Sequence, residues 1–567
     1  MVFMARAIQH AVEQPAQAPS RTIHDLPPEL LSAIFVLCLP NSLERAIEWD
    51  TGWLGITEVC HTWRKVALST PRLWSDIVLQ DGIGPLMVAR SKSVPLSFRM
   101  ELEELSDGNF ELVRNNMGRV ADLEVAGTEF ELQWFFVQMP EAPLLSSLSV
   151  CSNDSVDPVW LDFYIFDTPP AVNVPKQLQL YHCALRWDSD WYSNLTVLQL
   201  DEFAHGQGTT SSRLFEIIRA SPLLDSLQLS RTHTRIDTPS PIGQRHVLEK
   251  LRVLHLSEPA ELCSHFFGTF ALPAMERTYI VATQDYPFER LEDVVKRLVV
   301  PELAFEFQSF RMYANKESQD EDGTLGFSAS YRNRTLTFEL VNSNPAKSVL
   351  PVLDALLTCR ESAFIYITEL VVDTSLELGM AWAFFGRCRA LRVLSIRRAK
   401  PLRLFLMLFE RAMRRNGISC RQEGWFEDHI GGVVGPSEQI FPRLKVIRLT
   451  QVEMNADHGS VRSLAPLLEA TLWALRMRNM EVALHMANCL MVPRSRHSDS
   501  NPTYPPHPSN QASSWAIQGL DERGRRTNTD HHRERDFAVS LFEKHVPDIL
   551  HYFGTGPVKS VYPWPDL

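Results

Sequence analysis

Cysteine and histidine stand side by side at three places: Cys60-His61, His182-Cys183, and Cys263 close to His265. A thiol near an imidazole is the raw material of a nucleophile and its base. No neighbouring motif orients these pairs, and most of the cysteines sit among apolar residues, the setting of an inert core thiol. Asp530, His531 and His532 offer metal-binding atoms. They lie in a polar stretch with no second ligand cluster, and a zinc-type centre needs three or four ligands in one place. Basic runs at Arg397, Arg398 and Arg403, and at 411–415 (RAMRR), suit phosphate contacts, but a solvated helix face uses the same residues. The chain has no Walker-type phosphate loop, no GxGxxG after a strand, no HExxH and no GxSxG. These residues lead to the expectation of a chain with no active site, no cofactor and no metal of its own.

The nine cysteines are scattered singly, odd in number and without a CxxC pair, as in a reducing compartment. The 567 residues are 45% hydrophobic and 22% charged, enough to bury a large core. A net charge of −12 argues against a nucleic-acid surface, which needs a basic footprint to displace phosphate counterions. The longest apolar run, 33–39, is far short of the ~18 residues that span a bilayer. The first residues lack the compact apolar segment of a signal peptide. The expected location is intracellular, cytoplasmic and/or nuclear, with no membrane partner.

What would position such residues is a recurring pattern between about 85 and 490: an apolar residue, two spacers, an apolar residue, one spacer, an apolar residue. It reads Val120-Leu123-Val125, Leu145-Leu148-Val150, Leu195-Leu198-Leu200, Leu224-Leu227-Leu229, Leu251-Leu254-Leu256, Leu391-Leu394-Ile396 and Leu444-Ile447-Leu449. Weaker copies are Leu178-Leu180, Met275-Ile280 and Ile367-Leu370-Val372. The last two apolar positions alternate with a polar one, which is a strand signal. Helix-like segments such as 212–220 and 380–388 lie between. One strand-plus-helix unit cannot bury its apolar face alone, and stacked neighbours can. The expected fold is therefore an α/β repeat: a leucine-rich-repeat-like solenoid with parallel strands concave and helices convex. It is degenerate, because Asp201, Ser230 and Ser257 stand where tidy repeats carry Asn. An ordinary α/β domain with look-alike strands is the alternative. The expected divisions are a disordered leader at 1–20, a helical domain at 21–80, the repeat body at 85–490, a flexible Pro/Ser-rich segment at 491–535 and a short helix or tail at 536–567. Residues 317–323 (ESQDEDG) and 421–439 read as loops.

The helical domain carries the most information. Asp25, Leu26, Pro27, Pro28 and Glu29 form a helix start, with proline in the first turn and an acid at the positive dipole end. Two apolar stripes follow, Leu30-Ile34-Leu37 and Leu31-Phe35-Cys38. A helix apolar on most faces is normally covered. The next helix offers Val59, Cys60, Trp63, Ala67 and Leu68, with Pro71 ending it and Trp74 beyond. Two short helices cannot hide that surface alone, so a protein partner is expected.

At these residues, LPPELLSAIF followed by EVCHTWRKVALSTPRLW, the chain resembles the F-box family, through Leu26, Pro27, Glu29, Ile34, Phe35, Val59, Cys60, Trp63, Arg64, Pro71 and Trp74. The resemblance covers about one tenth of the chain. The region that follows resembles the degenerate leucine-rich-repeat bodies of fungal F-box-like proteins. One departure is residues 41–52 (NSLERAIEWDTG), a connection longer than usual and charged. The resemblance implies N-terminal all-α F-box helices that dock on a Skp-type adaptor and through it a cullin. It implies a body that captures an unknown protein substrate for ubiquitin ligation. It also implies adaptor contacts at Leu26, Pro27, Leu30, Ile34, Phe35, Val59 and Trp63, some of which must instead hold the helices together. Two other readings stay open at this point. One is a binding scaffold unconnected to ubiquitin, with the helices serving as a cap on the repeats. The other is an enzyme with its site around 260–440.

Overall fold

The computed structural model describes residues 23, 26–39, 52–77, 79, 82–153, 159–160, 175–202, 209–237, 245–283, 307–315, 323–342, 365–374, 385, 388–398, 404–405, 441–452 and 482–487. The leader at 1–20, the acidic stretch up to 322, the segments 421–439 and 491–535, and the candidate helix at 536–551 lie outside these residues, as do most of 41–52 and 380–388. The chain divides into two compact units, Met1–Ala204 and His205–Leu567. Both are of the α/β class.

In the first unit helices α1 (Pro28–Leu37) and α2 (His61–Ser69) precede a parallel sheet. Its strands lie side by side in chain order: β1 (Asp76–Ile77), β2 (Leu96–Glu101), β3 (Val120–Gly127), β4 (Ser147–Ser152), β5 (Gln177–Tyr181) and β6 (Val197–Asp201). The connections between β1 and β4 hold α3 (Gly84–Ser91), α4 (Asp107–Asn116) and α5 (Glu129–Gln138). Period-two alternation sends the apolar residues to one face. The register then stacks them into rungs: Leu123, Leu148, Leu178 and Leu198 form one, and Val125, Val150, Leu180 and Leu200 the next. Every one of these side chains is 1% exposed or less. Each such burial is worth about 1.5–3 kcal/mol, which is why the motif is legible as a strand.

The second unit adds β7 (Ser226–Ser230), β8 (Val253–Pro259), β9 (Arg277–Thr283), β10 (Ser309–Asn315), β11 (Gly323–Tyr331), β12 (Arg334–Asn342), β13 (Glu369–Thr374), β14 (Val393–Arg397), β15 (Val446–Thr450) and β16 (Ala483–Ala487). Helices α6 (Ser211–Arg219) and α7 (Ala260–Thr269) accompany them. The spatial order breaks chain order once, as β9-β12-β11-β10-β13. There β11 runs antiparallel to both neighbours, while the other described pairs in this unit's main sheet are parallel. This departs from an all-parallel repeat. Its local cause is a two-residue turn, Arg332-Asn333, closed by the Tyr331–Arg334 pair, with Arg332 in the left-handed region at φ 54°. The alternation in GFSASY and RTLTFELV marks both strands, but it follows the period-two rule without the leucine spacing of the other units.

One rung contains a misfit. Thr278 pairs between Leu254 and Leu336, is 3% exposed, and its hydroxyl has no hydrogen-bond partner among the described residues. A buried polar atom without a partner costs about 1–3 kcal/mol. Thr278→Val keeps the shape and removes the hydroxyl. It is expected to raise stability by about 1 kcal/mol, read as a higher denaturant midpoint; an unchanged or lower midpoint refutes the assignment.

The opposite face of this sheet is polar. The Tyr279 and Tyr313 phenols both donate to the Glu339 carboxylate, at 2.9 and 2.6 Å. Farther along, Asp373 accepts from Arg311 (3.0 Å) and Arg398 (2.9 Å). Burial, then the Glu339 charge, pushes the Tyr279 phenol up to about 12, and the same two causes push Tyr313 up as well. Folding therefore favours the protonated phenols. Their contribution is whole below about pH 10, the unfolded value, and is lost as pH climbs. Alkaline unfolding curves are expected to steepen over pH ~10 to 12. The Glu339→Gln chain, lacking that charge, is expected to steepen less; identical curves refute this.

One turn conformation recurs across different residue types. His182, Glu202, Arg231, Arg398 and Gln451 each directly follow a strand, and each has φ between 49° and 55°. Non-glycine residues enter that region at a cost of roughly 1–2 kcal/mol. The offset is visible in three of them. The His182, Arg231 and Arg398 amides donate to the carbonyls of Asp201, Ser257 and Thr450 on the neighbouring strand.

Candidate partner-docking site

Pro27 and Pro28 open α1 because their missing amide donors fall at positions a helix leaves unpaired. Glu29 in the first turn suits the helix dipole. At α2, Cys60 is the N-cap: its Sγ accepts from the Trp63 amide at 3.4 Å. Thr70 then turns extended ahead of Pro71, as a residue before proline must. The Thr70 hydroxyl donates to the Val66 carbonyl at 2.8 Å and is hydrogen-bonded to Ser32 on α1 at 2.9 Å.

Leu31 and Phe35 of the Leu31-Phe35-Cys38 stripe seal this pair, while Cys38 at the helix end is exposed. Leu31 and Phe35 are each 1% exposed, and the Phe35 ring lies 5.0 Å from that of Trp63. Trp53, in a 3-10 turn at Gly52–Glu58, meets the Trp74 ring edge-on at 5.2 Å. The Trp74 indole donates to the Ala67 carbonyl at 2.9 Å, and the Arg90 guanidinium caps its ring at 4.3 Å. From Trp74 the chain enters β1, where Ile77 pairs with Phe98. The helical pair is thus tied to the sheet edge.

The outer stripe is bare. Leu30 is 52% exposed, Ile34 37% and Leu37 84%. Val59 (56%) and Leu68 (37%) are open as well. Of the residues singled out from sequence, Pro27, Leu30, Ile34 and Val59 are exposed, while Leu26 and Trp63 are half-buried. Phe35 is enclosed, and its contacts are internal. The Trp63 Nε1 is buried without an acceptor among the described residues. Leu37 is missing from the sequence-derived set although its spacing put it on the Leu30-Ile34 stripe. Leu68 is missing too, and only the packing shows which side of α2 is open.

The thiol–imidazole neighbours resolve into structure. Cys183 is fully buried, donates to the Val150 carbonyl at 3.4 Å, and burial pushes its thiol far up; His182 pairs with Glu202. Cys263 is buried and likewise pushed up, and His265 packs edge-on against Phe215. Cys60 serves as the cap above. Arg397 and Arg398 are exposed, and Arg398 holds Asp373. Residues 411–415 and 530–532 lie outside the described residues. Among the described residues no group of three His, Cys, Asp or Glu could hold a metal, and no helix is long and apolar enough to cross a membrane. In comparisons with known proteins, no family model and no curated protein matches the chain.

Proposed function

We propose that this protein is the substrate-recruiting subunit of a Skp–cullin–F-box type ubiquitin ligase, without catalytic chemistry of its own. Its helical pair docks on a Skp-type adaptor, and its sheet body holds a target protein near the transferase, raising effective concentration. The observation that carries this reading is the split of α1 into a sealed inner stripe and a bare outer ridge, Leu30, Ile34 and Leu37, within the F-box-like pattern of residues. Bare apolar ridges of this kind mark protein interfaces. The accompanying fold reading is F-box helices followed by a leucine-rich-repeat-like solenoid. Its support is the in-register leucine rungs and the left-handed residue that recurs after strands.

The test is co-purification with a Skp-type adaptor. The Leu30→Ser/Ile34→Ser/Leu37→Ser chain is expected to melt like the parent and to bind the adaptor at least about 100-fold more weakly. A parent chain that retains no adaptor, or a folded triple variant that retains it equally, refutes the proposal. The cap reading has its own support in the Trp74–Ile77 junction with the sheet edge. It expects deletion of residues 1–80 to collapse the repeats and expects no adaptor at all.

A further inference from the structure

A second bare apolar stripe lies on α5, away from the docking ridge in sequence. Leu132, Phe135 and Phe136 face inward, at 4% exposure or less. Phe130 (77%), Trp134 (46%) and Val137 (67%) face outward, with Leu144 (45%) in the turn beyond the helix. The outward three are spaced i, i+4, i+7, one line along the helix. This helix is firmly built. Thr128 caps it, accepting from the Glu131 amide, while the Glu131 carboxylate accepts from the Thr128 amide at 2.8 Å. Trp134 is braced by Phe110 of α4, ring centroids 4.4 Å apart. Exposed Trp and Phe on a rigid element are the usual anchors of an interface.

The surroundings say what would cover it. The elements that carry and adjoin the stripe, the 3-10 turn Leu102–Glu104, α4 and α5, hold Glu103, Glu104, Asp107, Glu111, Glu129 and Glu131 against Arg114 and, in the turn after α4, Arg119. Glu103, Glu104, Asp107, Glu129 and Glu141 are exposed. Both arginines are engaged: Arg114 pairs with Glu111 at 3.3 Å, and Arg119 donates to Ser91 and to the Val94 carbonyl, both at 2.9 Å. An acidic rim around apolar anchors favours a partner with cationic flanks and excludes an acidic one. It also disfavours a second copy, because a two-fold contact would bring the same carboxylates face to face.

We propose that the α5 stripe is a second docking surface, which takes an amphipathic helical segment of another protein with an apolar face flanked by Lys or Arg. The contact is separate from adaptor docking and stands without it.

The probe is a fluorescein-labelled synthetic helix with a leucine face and lysine flanks, read by anisotropy on the full chain. A counterpart with glutamate flanks is the control. The lysine peptide is expected to bind and to weaken with added salt. The glutamate peptide and the Phe130→Ser/Val137→Ser chain are each expected to show at least about tenfold weaker binding. Trp134 is left in place because it packs on Phe110, and a melting curve equal to the parent's shows the double variant intact. Equal binding of the two peptides, or undiminished binding to the double variant, overturns the proposal. So does sedimentation showing a dimer of the parent that the double variant loses, which would make a second copy the occupant.

Discussion

Phe35→Ala is expected to unfold the N-terminal helical pair, while Leu37→Ser, two residues on, leaves it folded. Phe35 is 1% exposed and packs at a tilt against the Trp63 ring; Leu37 is 84% exposed. Truncating a buried phenylalanine costs about 3–5 kcal/mol, from lost transfer energy and the cavity left behind. Removing an exposed leucine costs about 0.5 kcal/mol or less. Thermal melts of the two chains check the contrast. The same pair separates two ways of losing a partner: Phe35→Ala loses it with the fold, Leu37→Ser with the fold retained. If Phe35→Ala melts like the parent, the inner and outer stripes have been assigned to the wrong sides.

The second large effect is expected at Gly326. It sits on β11 between Tyr313 of β10 and Glu339 of β12, which are paired with it on either side. The Tyr313 side chain crosses above it to reach Glu339, at 2.6 Å. A Cβ at 326 would lie 2.4 Å from Tyr313 Cζ, well inside contact distance. Alanine normally suits a strand better than glycine, yet here it displaces the ring and breaks the phenol–carboxylate bond. Gly326→Ala is expected to cost about 1–3 kcal/mol, as overpacking does. In a Tyr313→Ala background the same substitution should cost little, because the obstructing ring is gone. A double-mutant cycle on denaturant unfolding measures that coupling. Equal costs in both backgrounds would show that the glycine answers to something other than the tyrosine.

The strands were legible because their signal is local and energetically large. Leu123, Leu148, Leu198, Leu227, Leu254, Leu394 and Ile447 each sit on the buried side of a strand, and any register that exposed them would forfeit several kcal/mol. The helix start at Pro27-Pro28 and the stop at Pro71 were legible for covalent reasons, a missing donor and a restricted preceding residue. The break in strand order around β10–β12 was not legible. Alternation announces a strand but not its direction, and direction followed from a short turn with Arg332 in the left-handed region.

The candidate site divided the same way. Two apolar stripes on α1 were plain from spacing alone, and with them the need for cover on most of the helix. Which stripe faced in was settled by the tertiary structure, because Trp63 and Thr70 arrive from α2 and meet only one side. So Phe35 became core and Leu37 became surface. The recurring left-handed turns show the same limit. His182, Glu202, Arg231, Arg398 and Gln451 are not of one residue type, and their common conformation follows from their place at a strand end beside another strand. Composition and periodicity thus determine which side chains must leave water. Which neighbour takes them out of it depends on contacts between residues distant in the chain, and only packing brings those together.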